Sequence, residues 1–463
     1  MSTGVSALHP YRWFLRIWPL AVIFHLAGND YYLVNLTTIG IAQLPFLFAA
    51  VVMLVRPSLL TAAVLAGSHL LVIYLKMPLV GNHEILLLLA NVTVLLGLLI
   101  RRDRWLSAAV PPMRWIVLIG YSAIAFSKLN SGFVDRTVSC AAIFGDEFGE
   151  RVGVSVSGSP VLSDLAITAT ILFEVAIPVL LMTRRWRHIG VRLGLVFHTV
   201  LALEPVGHVF DFTSVLFMLF LLFLGAEESE AFSAALDRTW ETLGTRRIGL
   251  VLGVIVLGNY VARGVVLFGW RLPTWLFDYP IWLLYAAFIL RTVFTGGAER
   301  TSPHPALEFR FAPIMGLVVG LTVLNALSPY LEIRSAGAFN MYSNLVAHDG
   351  ETNHFLLPGT LPLRDAPVLY EAQPVAEDGS PLDFYHENGL LIPEPNLAQW
   401  AALSESRDAP VALAFSDGAQ TISSQDVAAT GNPADSFWER LFYVRAVDLS
   451  EPPSCRRTYG PAH

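Results

Sequence analysis

The sequence has little charge, little cysteine and almost no lysine. Charged residues make up 14% of its 463 residues, and the formal net charge of −7 argues against nucleic acid as a partner. No glycine-rich phosphate loop, Gly-x-Ser-x-Gly elbow or Cys-x-x-Cys pair occurs in it. The familiar chemistries of soluble enzymes therefore find no support in the sequence.

Lysine occurs at two positions only, Lys76 and Lys128, and the other 28 of the 30 basic residues are arginine. Biased codon usage explains this shortage equally well, so only the location of Lys128 carries weight. An apolar segment that begins near Pro112 runs without a break into Lys128 and stops at residues 130–132. An ammonium group can lose its proton when it is desolvated, whereas a guanidinium group effectively cannot.

Apolar residues dominate the rest of the composition. With 54% hydrophobic residues and a mean hydropathy of +0.56, the chain is predicted to be a polytopic α-helical membrane protein. We expect about eleven spans, give or take one or two, at residues 12–28, 37–55, 58–76, 83–100, 112–129, 161–183, 188–204, 207–225, 247–268, 276–294 and 311–329. The first stretch carries Arg12 and Arg16 and lacks a small-residue cleavage site, so we expect it to remain as a span.

Basic residues indicate the orientation of these spans. Most of them fall on alternate loops on one side of the membrane, at residues 12–16, 56, 101–104, 184–188, 246–247 and 291–300, whereas Lys76 and Arg271 fall on the opposite side. By the positive-inside rule, the N-terminus is cytoplasmic and the C-terminal region is exoplasmic. We expect an integral protein of the cell inner membrane.

The composition changes after Pro329, where the chain becomes polar, acidic and rich in proline and glycine. This change predicts a helical transmembrane domain at 1–334 and a small exoplasmic α+β domain at 335–463. In the second domain we expect strands at 368–370, 411–415 and 441–447 and short helices at 397–403 and 437–440.

Both cysteines fall on the exoplasmic side of this arrangement. Residues 130–160 predict an exoplasmic excursion with a short helix near 141–151. Cys140 lies in this excursion, and Cys455 lies in the C-terminal tail. A disulfide between them is allowed in that compartment. Nothing in the sequence gives the distance between the two residues, so paired and free cysteines both remain open.

Polar side chains of the predicted spans gather in the exoplasmic halves of those spans. They are His25, Asp30, Asn82, His83, Glu84, Lys128, His198, Glu204, His208, Asp211, Asn259 and Arg263, with Glu174 near the middle of its span. A charged group at the centre of a span costs roughly 2.5–3.5 kcal/mol on insertion scales. The common depth predicts one polar cavity that opens outward. The alternative is a set of interfacial side chains that reach to water.

Lys128 itself has two interpretations. As an anchor, it stays charged and reaches the outer head groups. As a catalytic base, it lies among Tyr121, Phe126 and neighbouring helices, where desolvation favours a free amine. Glu174 would oppose this by favouring the ammonium form. For Asn82 and His83, proton transfer or ligand orientation competes with purely structural hydrogen bonding.

Glu204, His208 and Asp211 are spaced four and three residues apart, which a metal could use on one helix face. Pro205 interrupts that helix, and no cysteine or second histidine pair supports the site. We therefore expect no metal.

The stretch Ala125-Phe-Ser-Lys128-Leu-Asn-Ser-Gly-Phe-Val134 resembles the lysine-bearing segment of vitamin K-dependent γ-carboxylase and of its bacterial relatives, the HTTM-domain proteins. Further motifs support this resemblance: Gly81-Asn82-His83 before an apolar span, Glu174 with Pro178, and Phe197-His198 after a basic loop. Residues 340–345 and 353–357 resemble a segment that follows the last span in many bacterial members. The likeness covers roughly residues 10–360.

The resemblance implies that the lysine at position 128 deprotonates a reduced naphthoquinone, with Asn82 and His83 close by. In the carboxylase the quinol reacts with O2, and the basic product takes a γ-proton from a substrate glutamate, which then adds CO2; this is the chemistry of a lyase. The polar C-terminal region here is much shorter than the lumenal part of the carboxylase, and no propeptide site is evident.

We therefore expect a membrane enzyme that uses Lys128 as a base on a quinol-type, lipid-phase substrate, with a peptide or protein substrate on the exoplasmic side. The predicted cavity lining comprises His198, Glu174, His208, Asp211, Arg263 and Asn259. The alternative is a non-enzymatic protein that binds membrane lipid or a peptide and assists export or maturation. In that case residues 340–344 and 353–354 would form a recognition surface.

Overall fold

The computed structural model describes residues 11–28, 38–77, 80–150, 153–203, 209–264, 266–267, 270–271, 275–296, 307–363, 365–373, 385–386, 389–394, 396–397, 414–416, 421–423 and 446–455. The protein is mostly helical. Its helices are α1 (Phe14–Gly28), α2 (Thr38–Val55), α3 (Leu59–Lys76), α4 (Asn82–Ile100), α5 (Trp105–Ser127), α6 (Ser131–Val134), α7 (Cys140–Glu150), α8 (Pro160–Met182), α9 (Arg187–Leu201), α10 (Phe210–Leu221), α11 (Ala226–Gly264), α12 (Trp275–Thr295) and α13 (Pro313–Leu327).

The described strands are short. They are β1 (Val266–Leu267), β2 (Trp270–Arg271), β3 (Ala347–His348), β4 (Glu351–Thr352), β5 (Leu369–Gln373), β6 (Leu391–Pro393), β7 (Ala414–Ser416) and β8 (Thr421–Ser423). β1 pairs with β2 and β3 with β4, both antiparallel. The other four form one antiparallel sheet in the order β6-β5-β7-β8, with Tyr370 opposite Ile392 and Ala372 opposite Phe415.

Several helices have the length and composition of membrane spans. Five are long and apolar enough to cross a bilayer: α3, α4, α5 with the 3-10 turn before it, α8 and α12. Four shorter apolar helices lie at Phe14–Gly28, Ile41–Val55, Phe210–Leu221 and Pro313–Leu327. Each of the eleven predicted segments overlaps one of the helices, so these apolar segments are largely helical as predicted, although residues 266–267 at the end of the segment 247–268 form β1. The number of crossings and their direction stay predictions.

Two helices differ from their predicted extent. α5 begins at Trp105 and runs through Pro111 and Pro112, although proline removes an intrahelical hydrogen bond and is expected near a helix start. α11 includes an amphipathic arm at residues 226–243 that the sequence did not predict. This arm is separated from the predicted span by Gly244, whose φ of +69° interrupts the helix.

The chain divides into two compact units. The first comprises residues 1–75, 86–121 and 173–322. In it, α1 packs against α10, whose twelve residues are all buried, and nine of them are apolar and cover every face of the helix. The arm of α11 contacts the start of α1: Arg12 and Arg16 pair with Asp237, and the Trp13 indole N–H donates to Ser229 Oγ over 2.7 Å.

The second unit comprises residues 76–85, 122–172 and 323–463. It contains the end of α5, the excursion helices α6 and α7, and the small sheet. α7 lies where the short helix near 141–151 was predicted, and β5 overlaps the strand predicted at 368–370. The strand predicted at 411–415 is described only from residue 414, in β7. The predicted domain boundary at 334/335 stays a prediction.

Other elements predicted for the C-terminal region lie outside the described residues, wholly or in part. The helix predicted at 437–440 lies wholly outside, and of the helix at 397–403 only Leu397 is described. Of the strand predicted at 441–447, the described residues are 446 and 447, and Val447 forms an antiparallel bridge with Leu391.

Candidate functional site

Lys128 follows the last residue of α5 and is buried, with 3% of its surface exposed. Its Nζ donates to the carbonyl oxygen of Met341 at 3.0 Å, and it lies 5.6 Å from the centre of the Phe133 ring. A carbonyl dipole and an aromatic face both stabilise positive charge on this nitrogen. This geometry is that of an enclosed amine, unlike an anchor that reaches out to head groups.

The end of α5 is fixed by Asn130. Its side-chain Oδ1 accepts from the Phe133 N–H over 2.9 Å and thereby caps α6, as asparagine commonly does at helix starts. Its Nδ2 donates to the carbonyls of Ser127 and Ser343. One buried side chain therefore joins the last turn of α5, the start of α6 and the segment after α13.

A second asparagine, Asn344, ties the same segment to the excursion and the tail. Its Oδ1 accepts from the Cys140 N–H at 3.1 Å, and its Nδ2 donates to the carbonyls of Val138 and Pro453 at 2.9 and 3.1 Å. Asn344 has a φ of +54°, which asparagine tolerates, but Tyr342 has a φ of +48°, which is uncommon for a bulky residue. This backbone is held under strain next to the carbonyl that accepts from Lys128.

Residues 353–357 cross the end of α5 as a backbone strap. Ser131 N–H donates to the Asn353 carbonyl over 3.1 Å, and Phe355 N–H donates to the Leu129 carbonyl over 2.9 Å. His354 lies between them: its Nε2 donates to the Phe126 carbonyl, while its Nδ1 accepts from the N–H groups of residues 356 and 357. Those contacts require the neutral tautomer, and burial lowers the pKa of His354 although the Phe126 hydrogen bond opposes this.

A disulfide holds the C-terminal tail to this network. Cys140 and Cys455 are bonded, with an S–S distance of 2.10 Å and a Cα–Cα distance of 4.8 Å, so the paired alternative is the one the structure has. Gly132 permits the close approach, because a Cβ there would lie 2.8 Å from the Pro453 carbonyl oxygen. Asp448 shapes the tail by accepting from the N–H and hydroxyl groups of Ser450 and Ser454.

The start of α4 belongs to the same unit, and so does the other lysine, Lys76, which is the last residue of α3. Lys76 and Glu84 form a buried ion pair, and the second oxygen of Glu84 accepts from the Gly81 N–H at 2.9 Å. Asn82 is 2% exposed, and neither its Nδ2 nor its Oδ1 has a hydrogen-bond partner in the described part of the chain. His83 is half-buried, with its ring folded back towards Gly81.

The remaining predicted residues belong to the first unit or lie outside the description. His198 Nε2 and the Tyr121 hydroxyl are 2.8 Å apart, and His25 Nδ1 lies 3.9 Å from the Asp211 carboxylate. Glu174 is 7% exposed. Outside the described residues, or described only in their backbone, are Asp30, Glu204, His208, Asn259 and Arg263. The predicted common cavity stays a prediction.

Several residues of the second unit were not found from the sequence. Phe133 lies over the Lys128 amine, and Phe126, which the sequence predicted near Lys128, packs on His354 and Tyr330 with ring centres 4.3 and 6.0 Å away. Tyr330 and Arg334 each have a buried polar atom with no hydrogen-bond partner among the described residues. No sequence signal marks Tyr330, and the only signal at Arg334 is an arginine shortly after the last apolar segment.

The apolar helices are those of a membrane-embedded, helical protein, with a buried amine at the end of α5 as its candidate site. Comparison of the chain with protein-family models, with curated proteins and with solved structures gives no match. The resemblance to the carboxylase therefore continues to depend on the short motifs themselves.

Proposed function

We propose that this protein is an integral membrane enzyme resembling vitamin K-dependent γ-carboxylase, in which Lys128 acts as the base on a quinol-type, lipid-phase substrate. The observation that carries the proposal is the enclosed amine: a buried Nζ at the end of an apolar helix, held at 3.0 Å from a backbone carbonyl. A base used on a lipid-soluble acid needs this kind of shelter from water.

In this proposal Lys128 accepts a proton from the quinol. Its Nζ takes the proton of a quinol hydroxyl group, so that an N–H bond forms as the O–H bond breaks. The resulting ammonium is stabilised by the Met341 carbonyl and by the face of Phe133. Asn130, Asn344 and the disulfide hold the helix end and residue 341 in register, which fixes the amine in one position.

A reduced naphthoquinone suits the chemistry of the residues present. Bound there, it would supply the reducing equivalents for O2 and thereby drive an oxygenation or carboxylation. Asn82 has buried donor and acceptor atoms without partners among the described residues. A donor and an acceptor of this kind can orient a quinol oxygen by hydrogen bonding. His83 would help to move protons, and an exoplasmic peptide or protein is the second substrate of this proposal.

Quinol oxidation by the purified protein in nanodiscs tests the proposal. We expect oxidation of a reduced naphthoquinone with uptake of O2, at a rate above that of empty nanodiscs. Rates equal to those of empty nanodiscs, with and without added CO2 and peptide, would remove the quinol role.

One observation favours the second candidate, a non-enzymatic protein that binds lipid or peptide. The strap and the residues after it present large apolar side chains outward: Phe355, Leu356, Leu361 and Leu363 are 57–74% exposed. Their backbone is anchored, since Leu361 N–H donates to the Tyr330 carbonyl and Leu363 N–H to the Leu331 carbonyl. An exposed apolar strip of this kind is typical of a lipid or peptide contact.

Three residues of the recognition surface that this candidate predicted are buried. Asn340, Asn344 and His354 are buried at 4%, 4% and 2% exposure, and the Asn344 and His354 side chains are engaged within the chain.

Extraction of co-purified lipids distinguishes the quinol-dependent enzyme from the non-enzymatic binder. A quinone retained in stoichiometric amount supports the enzyme, and phospholipid alone supports the binder.

A further inference from the structure

Arg334 is a buried cation seven residues after the end of α13. Only 7% of its surface is exposed, and its Nε donates to the Ala336 carbonyl. Its Nη2 is buried and has no hydrogen-bond partner within the described part of the chain. A guanidinium group has five N–H donors and keeps its charge in proteins, so an unsatisfied one in the interior is costly.

This guanidinium lies beside the residues that lead into α4. Gly337 has a φ of +66°, and a Cβ built on it would collide with Arg334 Nη2 and lie 2.9 Å from the Val80 carbonyl oxygen. Two residues further along, Asn82 begins α4, and both polar atoms of its side chain are buried without a partner among the described residues. Two side chains with buried polar atoms that have no partner among the described residues therefore flank the start of a 19-residue helix.

The electrostatics at this position favour a negative group. The N-terminal end of a helix carries partial positive charge and is a ready site for anions. The neighbouring carboxylates bind other groups: Glu84 pairs with Lys76, and Glu332 accepts from the N–H groups of Asp349 and Gly350. No carboxylate of the described residues is paired with Arg334. Burial alone lowers the pKa of Arg334 to about 10, as expected for a cation without a counter-ion.

We propose that Arg334, with Asn82 and the N-terminus of α4, binds a singly charged oxyanion, the carboxylate or phosphate group of a free solute or of a lipid head group. One uncompensated guanidinium matches one negative charge, and its Nη2 supplies a charge-assisted hydrogen bond to an oxygen. The Asn82 amide adds a neutral donor and an acceptor. This site goes beyond the proposed function, because its charge comes from Arg334 and not from Lys128; Asn82, which the proposed function assigns to a quinol oxygen, is the residue that the two sites share.

Thermal unfolding of the purified, delipidated protein in a maltoside detergent tests the site. The probes are sodium acetate, inorganic phosphate and phosphatidylglycerol, each against sodium chloride at equal ionic strength. A bound anion raises the Tm in a saturable manner. We expect at least one probe to do so with the wild type. A response to acetate or phosphate identifies a free solute, and a response to phosphatidylglycerol alone identifies a head group.

Substitutions test whether the rise in Tm comes from binding at Arg334. Arg334→Gln should lose the rise in Tm, whereas Arg136→Gln, which removes an exposed arginine of the same unit, should keep it. Arg334→Lys keeps the charge but not the planar fork, so its affinity should fall about tenfold. No response by the wild type, or an equal response by Arg334→Gln, would overturn the proposal. Should Arg334→Gln fail to fold, an unchanged affinity of Arg334→Lys would overturn it equally.

Discussion

The two lysines of this chain are buried to the same degree in different surroundings. Lys76 and Lys128 are 5% and 3% exposed. Lys76 forms an ion pair with Glu84, which also caps the start of α4 through the Gly81 N–H. Lys128 contacts a backbone carbonyl and an aromatic ring. Burial alone therefore does not mark a reactive amine: a carboxylate faces the amine of Lys76, whereas a carbonyl and an aromatic ring face the amine of Lys128.

The largest stability effect is expected at the structural lysine. Glu84→Gln removes the carboxylate and leaves Lys76 as a buried charge, which should destabilise the protein by about 3–5 kcal/mol. Unfolding in detergent measures it. Lys76→Arg is the matched control, because it keeps both the charge and a partner for Glu84. A loss below about 1 kcal/mol for Glu84→Gln would show that this pair is not structural.

Loss of the disulfide should make the backbone around Lys128 open more readily and leave the backbone around Lys76 unchanged. Cys140→Ser with Cys455→Ser should cost about 2–5 kcal/mol, the usual range for loss of a native disulfide. Hydrogen exchange, followed by mass spectrometry, should speed up at residues 340–355, because Asn344 joins this segment to the tail. Faster exchange at 80–85 to the same extent would contradict this division.

Gly132 offers a smaller perturbation at the same place. Gly132→Ala puts a Cβ 2.8 Å from the Pro453 carbonyl oxygen and 2.9 Å from Asn344 Cβ, so the tail must shift, at about 1–3 kcal/mol. Gly320→Ala is the control, because nothing lies within 4 Å of a Cβ there and alanine favours a helix. Equal stabilities of the two variants would show that the tail does not pack against residue 132.

The smallest expected effect is on the pH dependence of thermal stability. Since the folded pKa of His354 lies below its ordinary value of 6.5, the unfolded chain binds the proton more readily. The contribution of His354 is therefore complete above pH 6.5 and is lost as the pH falls through the lower folded pKa. His354→Gln should flatten the acid side of a Tm-against-pH curve, and His348→Gln serves as the control. Identical acid slopes in the wild type and His354→Gln would refute this.

The sequence predicted the helices well, because apolar runs of this length have few other solutions in a membrane. It also identified Lys128 as the lysine worth attention and allowed the Cys140–Cys455 pair. It missed contacts that arise only in three dimensions, such as the ion pair of Lys76 with Glu84. It gave no sign of the strained backbone at Tyr342, since positive φ is usually signalled by glycine or asparagine. The buried Nη2 of Arg334, which has no partner among the described residues, likewise becomes visible only once burial is known.

The most direct test of the central claim compares arginine substitutions at the two lysines. Wild type, Lys128→Arg and Lys76→Arg are assayed for oxidation of a reduced naphthoquinone in nanodiscs, at equal amounts of folded protein. Loss of a general base typically costs about 10²–10⁴-fold in rate, so Lys128→Arg should fall by this factor while Lys76→Arg keeps the wild-type rate. Wild-type turnover in Lys128→Arg would contradict the claim that this amine is the base.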